Sequence, residues 1–184
     1  MRRILLSILI ISVFFILPKK SYEVRSYGMR LEYYVEQICK KYNLDEKLVW
    51  AIIYTENTTY PFRHRYEKDL QYGVDGKWYR EAINHSVYKY YWEAYCSYGA
   101  MHVLYGIAYG FGYKDHPFGL QDHKQSLEYG CRYLKGLMGV YTNLKDVVSA
   151  YNQGRPKKYW NGVYWNQKHV NRFIKNYREL GGKI

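Results

Sequence analysis

Between Arg30 and Glu56 the apolar residues recur with the period of a helix twice in succession, and this double stripe constrains the chain more than any other feature. Leu31, Tyr34, Val35, Ile38 and Tyr42 follow at steps of three and four with charges between them, which predicts an amphipathic helix over 30–42. Asp45 is then a natural N-cap, Leu44 before it is placed to staple to Val49, and Val49, Ile52, Ile53 and Glu56 continue at i, i+3, i+4 and i+7. The theme repeats downstream. Residues 81–95 and 99–109 predict helices. Asp122 with Gln125 resembles a capping box ahead of Leu127, Cys131, Leu134, Leu137 and Met138. Asn143 can cap a helix carrying Leu144, Val147, Val148 and Tyr151, which Gly154 and Pro156 stop, and a last helix over 167–180 buries Val170, Phe173, Ile174 and Tyr177. Residues 57–80, broken by Pro61, Gly73 and Gly76, predict loop with a short β hairpin. The expected fold is mainly α, one domain with about seven helices.

At 184 residues the chain fits one globular unit whose core needs no metal or disulfide staple. Its 48% hydrophobic and 20% aromatic content excludes disorder, collagen and a multi-pass membrane protein. Tyr supplies 25 residues, which an AT-rich genome explains, and which equally suits a cleft that stacks sugars or bases. Met1-Arg2-Arg3 precedes an apolar stretch from Ile4 to Leu17 closed by Pro18-Lys19-Lys20, the pattern of a secretory signal. No small-x-small cleavage site follows, so residues 1–20 read as a signal peptide or an N-terminal membrane anchor, with the domain over 21–184. An exported, periplasmic or cell-envelope location is expected. Cys39, Cys96 and Cys131 make no Cys-x-x-Cys pair; one disulfide with a thiol left over is open to them, in any of three pairings, or Cys131 is simply core. The formal charge of +12 would meet anionic polymers outside the membrane, namely lipid headgroups, teichoic acids or peptidoglycan. Nucleic acid is the competing anion, but no binding motif is present and none is expected as partner.

Glu56 shares the stripe of Ile52 and Ile53 near the carboxyl end of its helix, where a negative side chain gains nothing from the helix dipole. Both surroundings disfavour the ionised form, and a carboxyl kept protonated near neutral pH can donate a proton to a leaving oxygen. On the pattern alone, a helix-end carboxylate turned to water is the plainer reading. The neighbouring segments shift the weight toward the general acid. Leu48-Val49-Trp50-Ala51-Ile52-Ile53-Tyr54-Thr55-Glu56-Asn57 resembles the catalytic-Glu helix of soluble lytic transglycosylases and goose-type lysozymes. Ser97-Tyr98-Gly99-Ala100-Met101-His102-Val103-Leu104 is similar to that family's Gly-Leu-Met-Gln segment, and Ala150-Tyr151-Asn152-Gln153-Gly154 to its Ala-Tyr-Asn-x-Gly segment. Asp122, Ser126, Gly130, Tyr133 and Leu134 resemble a further helix of the family, and the likeness covers about residues 30–178. Asn57 stands where Ser commonly follows the acid, and His102 where Gln is usual. The insertion between Glu56 and Met101 contains Arg63-His64-Arg65-Tyr66-Glu67 and looks like phage-type relatives; Glu67 reads as a second carboxylate or, more simply, as a surface charge.

The resemblance implies a lysozyme-like fold and a peptidoglycan lytic transglycosylase in which one Glu, here Glu56, is first acid and then base between N-acetylmuramic acid and N-acetylglucosamine, leaving a 1,6-anhydro end. It implies that Tyr151 contacts the catalytic carboxyl and that Asn152, Met101, Gly99 and His102 hold the glycan; Ser97 either bonds substrate or caps the helix expected after it. A lysozyme-type hydrolase of the same bond, or a membrane-tethered glycan-binding module without catalysis, carries the same motifs. No cofactor and no metal are expected: His64, His85, His102, His116, His123 and His169 show no ligand spacing, and no Gly-rich stretch joins a strand to a helix.

Overall fold

The computed structural model describes residues 19–56, 63–72, 79 and 88–184, and over these the chain is mainly helical with one small antiparallel sheet. The first stripe lies on α1 (Lys19–Tyr42), which buries Leu31, Val35, Ile38 and Cys39. Asp45 caps α2 (Glu46–Glu56) as expected, its Oδ1 accepting from the Lys47 amide at 2.9 Å. Leu48, Val49, Ala51, Ile52 and Ile53 of α2 are all buried, because the helix is covered by α1 and, along another face, by α7 (Gln167–Glu179). The carboxyl end of α2 is tied down by α7. Arg172 donates from Nη1 to the Thr55 carbonyl at 3.0 Å, Asn176 donates to Thr55 Oγ1 at 3.0 Å, and that hydroxyl donates to the Ala51 carbonyl at 2.6 Å. A cation therefore meets the negative end of the helix dipole, satisfies a terminal carbonyl and holds the last residue, Glu56, in place.

The sheet differs in part from expectation. β1 (His64–Tyr66) does fall within 57–80, but its partner is β2 (Cys96–Tyr98), in the register His64 with Tyr98, and β3 (Val103–Leu104) pairs on the other side of β2. A short helix α3 (Lys68–Tyr72) follows β1. Of the helix predicted over 81–95, residues 81–87 lie outside those described, and Tyr88–Tyr95 is a 3₁₀ helix. The helix predicted to start at Gly99 begins only at α4 (Tyr105–Gly110). Gly99 at φ +67° and His102 at φ +46° turn the chain left-handed, which no right-handed helix can accommodate. Ser126 makes the turn worthwhile: its hydroxyl accepts from the Met101 amide at 3.0 Å and donates to the Tyr98 carbonyl at 3.2 Å, so both backbone groups are paired inside the core.

Ser126 belongs to α5 (His123–Val140), which Asp122 caps through the Gln125 amide at 3.1 Å after a 3₁₀ turn over Pro117–Gln121. Only this half of the capping box forms, since the Asp122 amide donates to the Gly119 carbonyl instead. α6 (Leu144–Gln153) is capped by Asn143 and stopped by Gly154 at φ +76°, and α7 spans nearly the predicted residues. The buried apolar residues of α1, α2, α5, α6 and α7 join those of the sheet and α4 in one core. All three thiols are free and buried; Cys131 packs as core with its Sγ 3.6 Å from Met101 Sδ. Among the described residues no helix is long and apolar enough to cross a membrane, and the predicted signal or anchor falls, over residues 1–18, outside them.

Candidate functional site

Three segments converge on Glu56, whose side chain at the end of α2 is only 5% exposed. His102 Nδ1, on the turn before β3, lies 3.3 Å from Glu56 Oε2, and Arg65 Nη1, on β1, lies 3.8 Å from the same oxygen. His169 Nε2, in the first turn of α7, lies 3.7 Å from Oε1. The contact with His102 is a close approach and not an aligned hydrogen bond, for Nδ1 has no hydrogen-bond partner of good geometry. Burial by itself pushes the carboxyl up, but the His102 contact together with the charges of His169 and Arg65 outweighs it and holds Glu56 below its ordinary value of 4.5. The expectation of a carboxyl kept protonated near neutral pH is thereby corrected. An apolar stripe supplies desolvation only, whereas the fold adds three basic groups from distant parts of the chain. For His169, burial is the largest influence and lowers its pKa below 6.5, with the Glu56 carboxylate opposing and Arg172 and Arg65 assisting.

Arg65 is itself held. Its Nε donates to Glu67 Oε1 at 2.7 Å, and the same oxygen accepts from Ser97 Oγ at 2.7 Å. A line of contacts thus runs Ser97, Glu67, Arg65, Glu56. Ser97 is buried in β2, where its hydroxyl caps no helix and instead orients Glu67. Glu67 is neither a free surface charge nor a second carboxylate at the reacting position. Its role is to fix the guanidinium beside Glu56.

Gly99 and Met101 are buried, so neither side of that pair offers a surface to a ligand. Both build the turn that delivers His102. A Cβ at Gly99 would overlap the Leu120 carbonyl oxygen and stand 2.5 Å from Ser126 Cβ, and the Met101 carbonyl accepts from Tyr151 Oη at 2.9 Å. That bond shows Tyr151 gripping the His102 turn from α6, with its hydroxyl given to Met101. Burial and then the Glu56 charge push the Tyr151 hydroxyl well above its ordinary pKa, which keeps it a donor. The Tyr133 ring lies tilted beside it, 5.3 Å between ring centroids. Asn152 is exposed on the following position, its Oδ1 accepting from Asn166 Nδ2 at 3.0 Å, while Asn166 is fixed in turn by Ser149. Asn57 lies outside the described residues.

The structure therefore brings Glu56, His102, Tyr151 and Asn152 to one region and places Ser97, Gly99 and Met101 behind it. Sequence reasoning missed Arg65 and His169 as members. For His169 a signal existed: it stands four residues before the buried Phe173 and seven before Asn176, the face of α7 that meets α2. For Arg65 the signal was weaker, a cation flanked by strand-forming residues. Among the described residues no group of three or more His, Cys, Asp or Glu is placed to hold a metal ion. The arrangement can take up and release a proton at one desolvated carboxyl faced by three basic side chains. No protein-family model, curated protein or solved structure matches this chain.

Proposed function

We propose that the chain is a peptidoglycan lytic transglycosylase acting through Glu56. A single buried carboxyl, with no second carboxylate free beside it among the described residues, carries this reading: it suits a reaction in which one group is acid and base in turn, and not the two-carboxylate scheme of most glycosidases. The motif likeness over residues 30–178 supports it. Glu56 donates its proton to the oxygen linking N-acetylmuramic acid C1 to N-acetylglucosamine, the C1–O bond breaks with its electron pair going to that oxygen, and an oxocarbenium-like centre develops with help from the acetamido group. The carboxylate then accepts the proton of the muramyl 6-hydroxyl as that oxygen bonds to C1. Asn152 contacts the glycan, His102 and Arg65 stabilise the carboxylate between the two steps, and Tyr151 holds the His102 turn still.

Because the carboxyl sits below its ordinary pKa, the acid form gains population as pH falls, and activity rises toward acid. His102→Gln removes the closest group holding the pKa down, so the carboxyl pKa rises and the alkaline limb of the pH–rate profile moves to higher pH. A limb that stays in place counts against His102 as the partner that sets Glu56. The depressed carboxyl also favours a second reading, a module that binds glycan without cutting it. Mass spectrometry of material released from intact sacculi separates the outcomes. The proposal expects 1,6-anhydro ends; reducing ends mean that water replaced the 6-hydroxyl, and retention without release means binding alone.

A further inference from the structure

The connection from α6 to α7 carries rings that the core does not use. Lys158 bridges Tyr164 in antiparallel fashion, the Tyr159 amide donates to the Val163 carbonyl at 2.8 Å, the Trp165 amide to the Lys157 carbonyl at 3.0 Å, and Gly162 turns the tip at φ +81°. The base of this hairpin is anchored. Tyr164 is buried with its hydroxyl on Asp146 Oδ1 at 2.6 Å, and Lys158 pairs with the same carboxylate at 2.7 Å. Upon this base Trp160 is 99% exposed, with Tyr159, Val163 and Trp165 exposed around it. The Tyr159 and Trp165 rings lie 5.9 Å apart, and Lys157 Nζ stands 5.3 Å from the centre of the Trp165 ring. A tryptophan left in water contributes nothing to the roughly 1.5–3 kcal/mol that burying a large apolar side chain brings to folding. A cluster of exposed aromatics on an anchored hairpin marks a recognition surface.

From this we infer that the 157–165 hairpin is a second binding platform for the same glycan strand that Glu56 acts on, an inference that rests on the proposed function. Two observations choose this occupant over an anionic lipid surface. The hairpin is continuous with the site: Trp165 precedes Asn166, which bonds Asn152, and His169 of the same segment reaches Glu56. Its rings are interleaved with Lys157, Lys158 and Asn161, and Val163 is its one aliphatic residue, so the surface pairs stacking faces with amide and ammonium groups. That combination complements sugar rings bearing hydroxyls and peptide carboxylates better than acyl chains, for which aliphatic residues would be expected at the tip.

The test uses the full chain with Glu56→Gln, so that binding is read without cleavage. Retention on insoluble sacculi is compared with and without Trp160→Ala, with Phe118→Ala as an exposed aromatic elsewhere, and pelleting with phosphatidylglycerol vesicles is run beside it. The expected result is a roughly tenfold weaker retention for Trp160→Ala, the equivalent of about 1.4 kcal/mol, with Phe118→Ala unchanged. Retention of Trp160→Ala equal to its parent overturns the platform while leaving the proposed function standing. A Trp160→Ala defect on vesicles but not on sacculi assigns the hairpin to lipid and likewise overturns it. If the unmutated chain releases no fragments yet Trp160-dependent retention persists, the catalytic reading fails and the platform survives.

Discussion

Glu56→Gln lowers fragment release from sacculi by about 10²–10⁴-fold, the range for removing a general acid, and leaves the helical circular dichroism signal unchanged. Gln preserves the shape of the side chain and an oxygen to face His102 and Arg65, but it can neither deliver an acidic proton to a leaving oxygen nor accept one from an attacking hydroxyl. The structural consequences are contained by the surroundings. Arg65 keeps Glu67, and the end of α2 remains tied to Arg172 and Asn176, so the helix is not released when the charge is removed. His169 loses the carboxylate that opposes its lowered pKa and becomes easier still to keep neutral. Fragment release at the rate of the unmutated chain would remove Glu56 from the mechanism.

Gly99→Ala is expected to lower the melting temperature substantially and to cost activity even well below the melt. A left-handed backbone costs a residue with a Cβ about 1–2 kcal/mol, and forcing an extra methyl into a packed site about 1–3 kcal/mol. At Gly99 both apply, since φ is +67° and the added carbon would strike the Leu120 carbonyl and Ser126. A loss of about 2–5 kcal/mol, at roughly 2–4 °C per kcal/mol for a domain of this size, gives a shift on the order of 10 °C. The obstruction involves a backbone oxygen and the serine that pairs Met101 with Tyr98, so relief requires the turn itself to move. Because His102 ends that turn, its 3.3 Å approach to Glu56 moves as well. A thermal melt within 2 °C of the unmutated protein would show that the turn yields and that Gly99 is not what fixes it.

The parts of the molecule legible in advance are those whose causes lie within one helical turn. Asp45, Asp122 and Asn143 cap the helices they were expected to cap, and Gly154 stops α6, since a cap needs only a side-chain oxygen and an amide two or three residues on. The stripe of α2 likewise announced the burial of Val49, Ile52 and Ile53, while Leu48, Ala51 and Thr55 are buried because neighbouring helices cover a second face. The segment after Gly99 failed this treatment. Its apolar content suits a helix, but the pairing of Met101 and Tyr98 with Ser126 of α5, and of β2 with β1, rewards a turn and strands.

The chain's own order determined that Glu56 would sit at the end of an apolar helix, because periodicity and capping act between near neighbours, whereas its withdrawal from water was decided by the fold. The state of its proton was decided by Arg65, His102 and His169, and the burial of Ser97 and Met101 was decided by the elements packed around them. Coulomb forces and hydrogen bonds depend on separation in space, and only the folded structure brings residues from β1, the β3 turn and α7 to within 4 Å of one carboxyl.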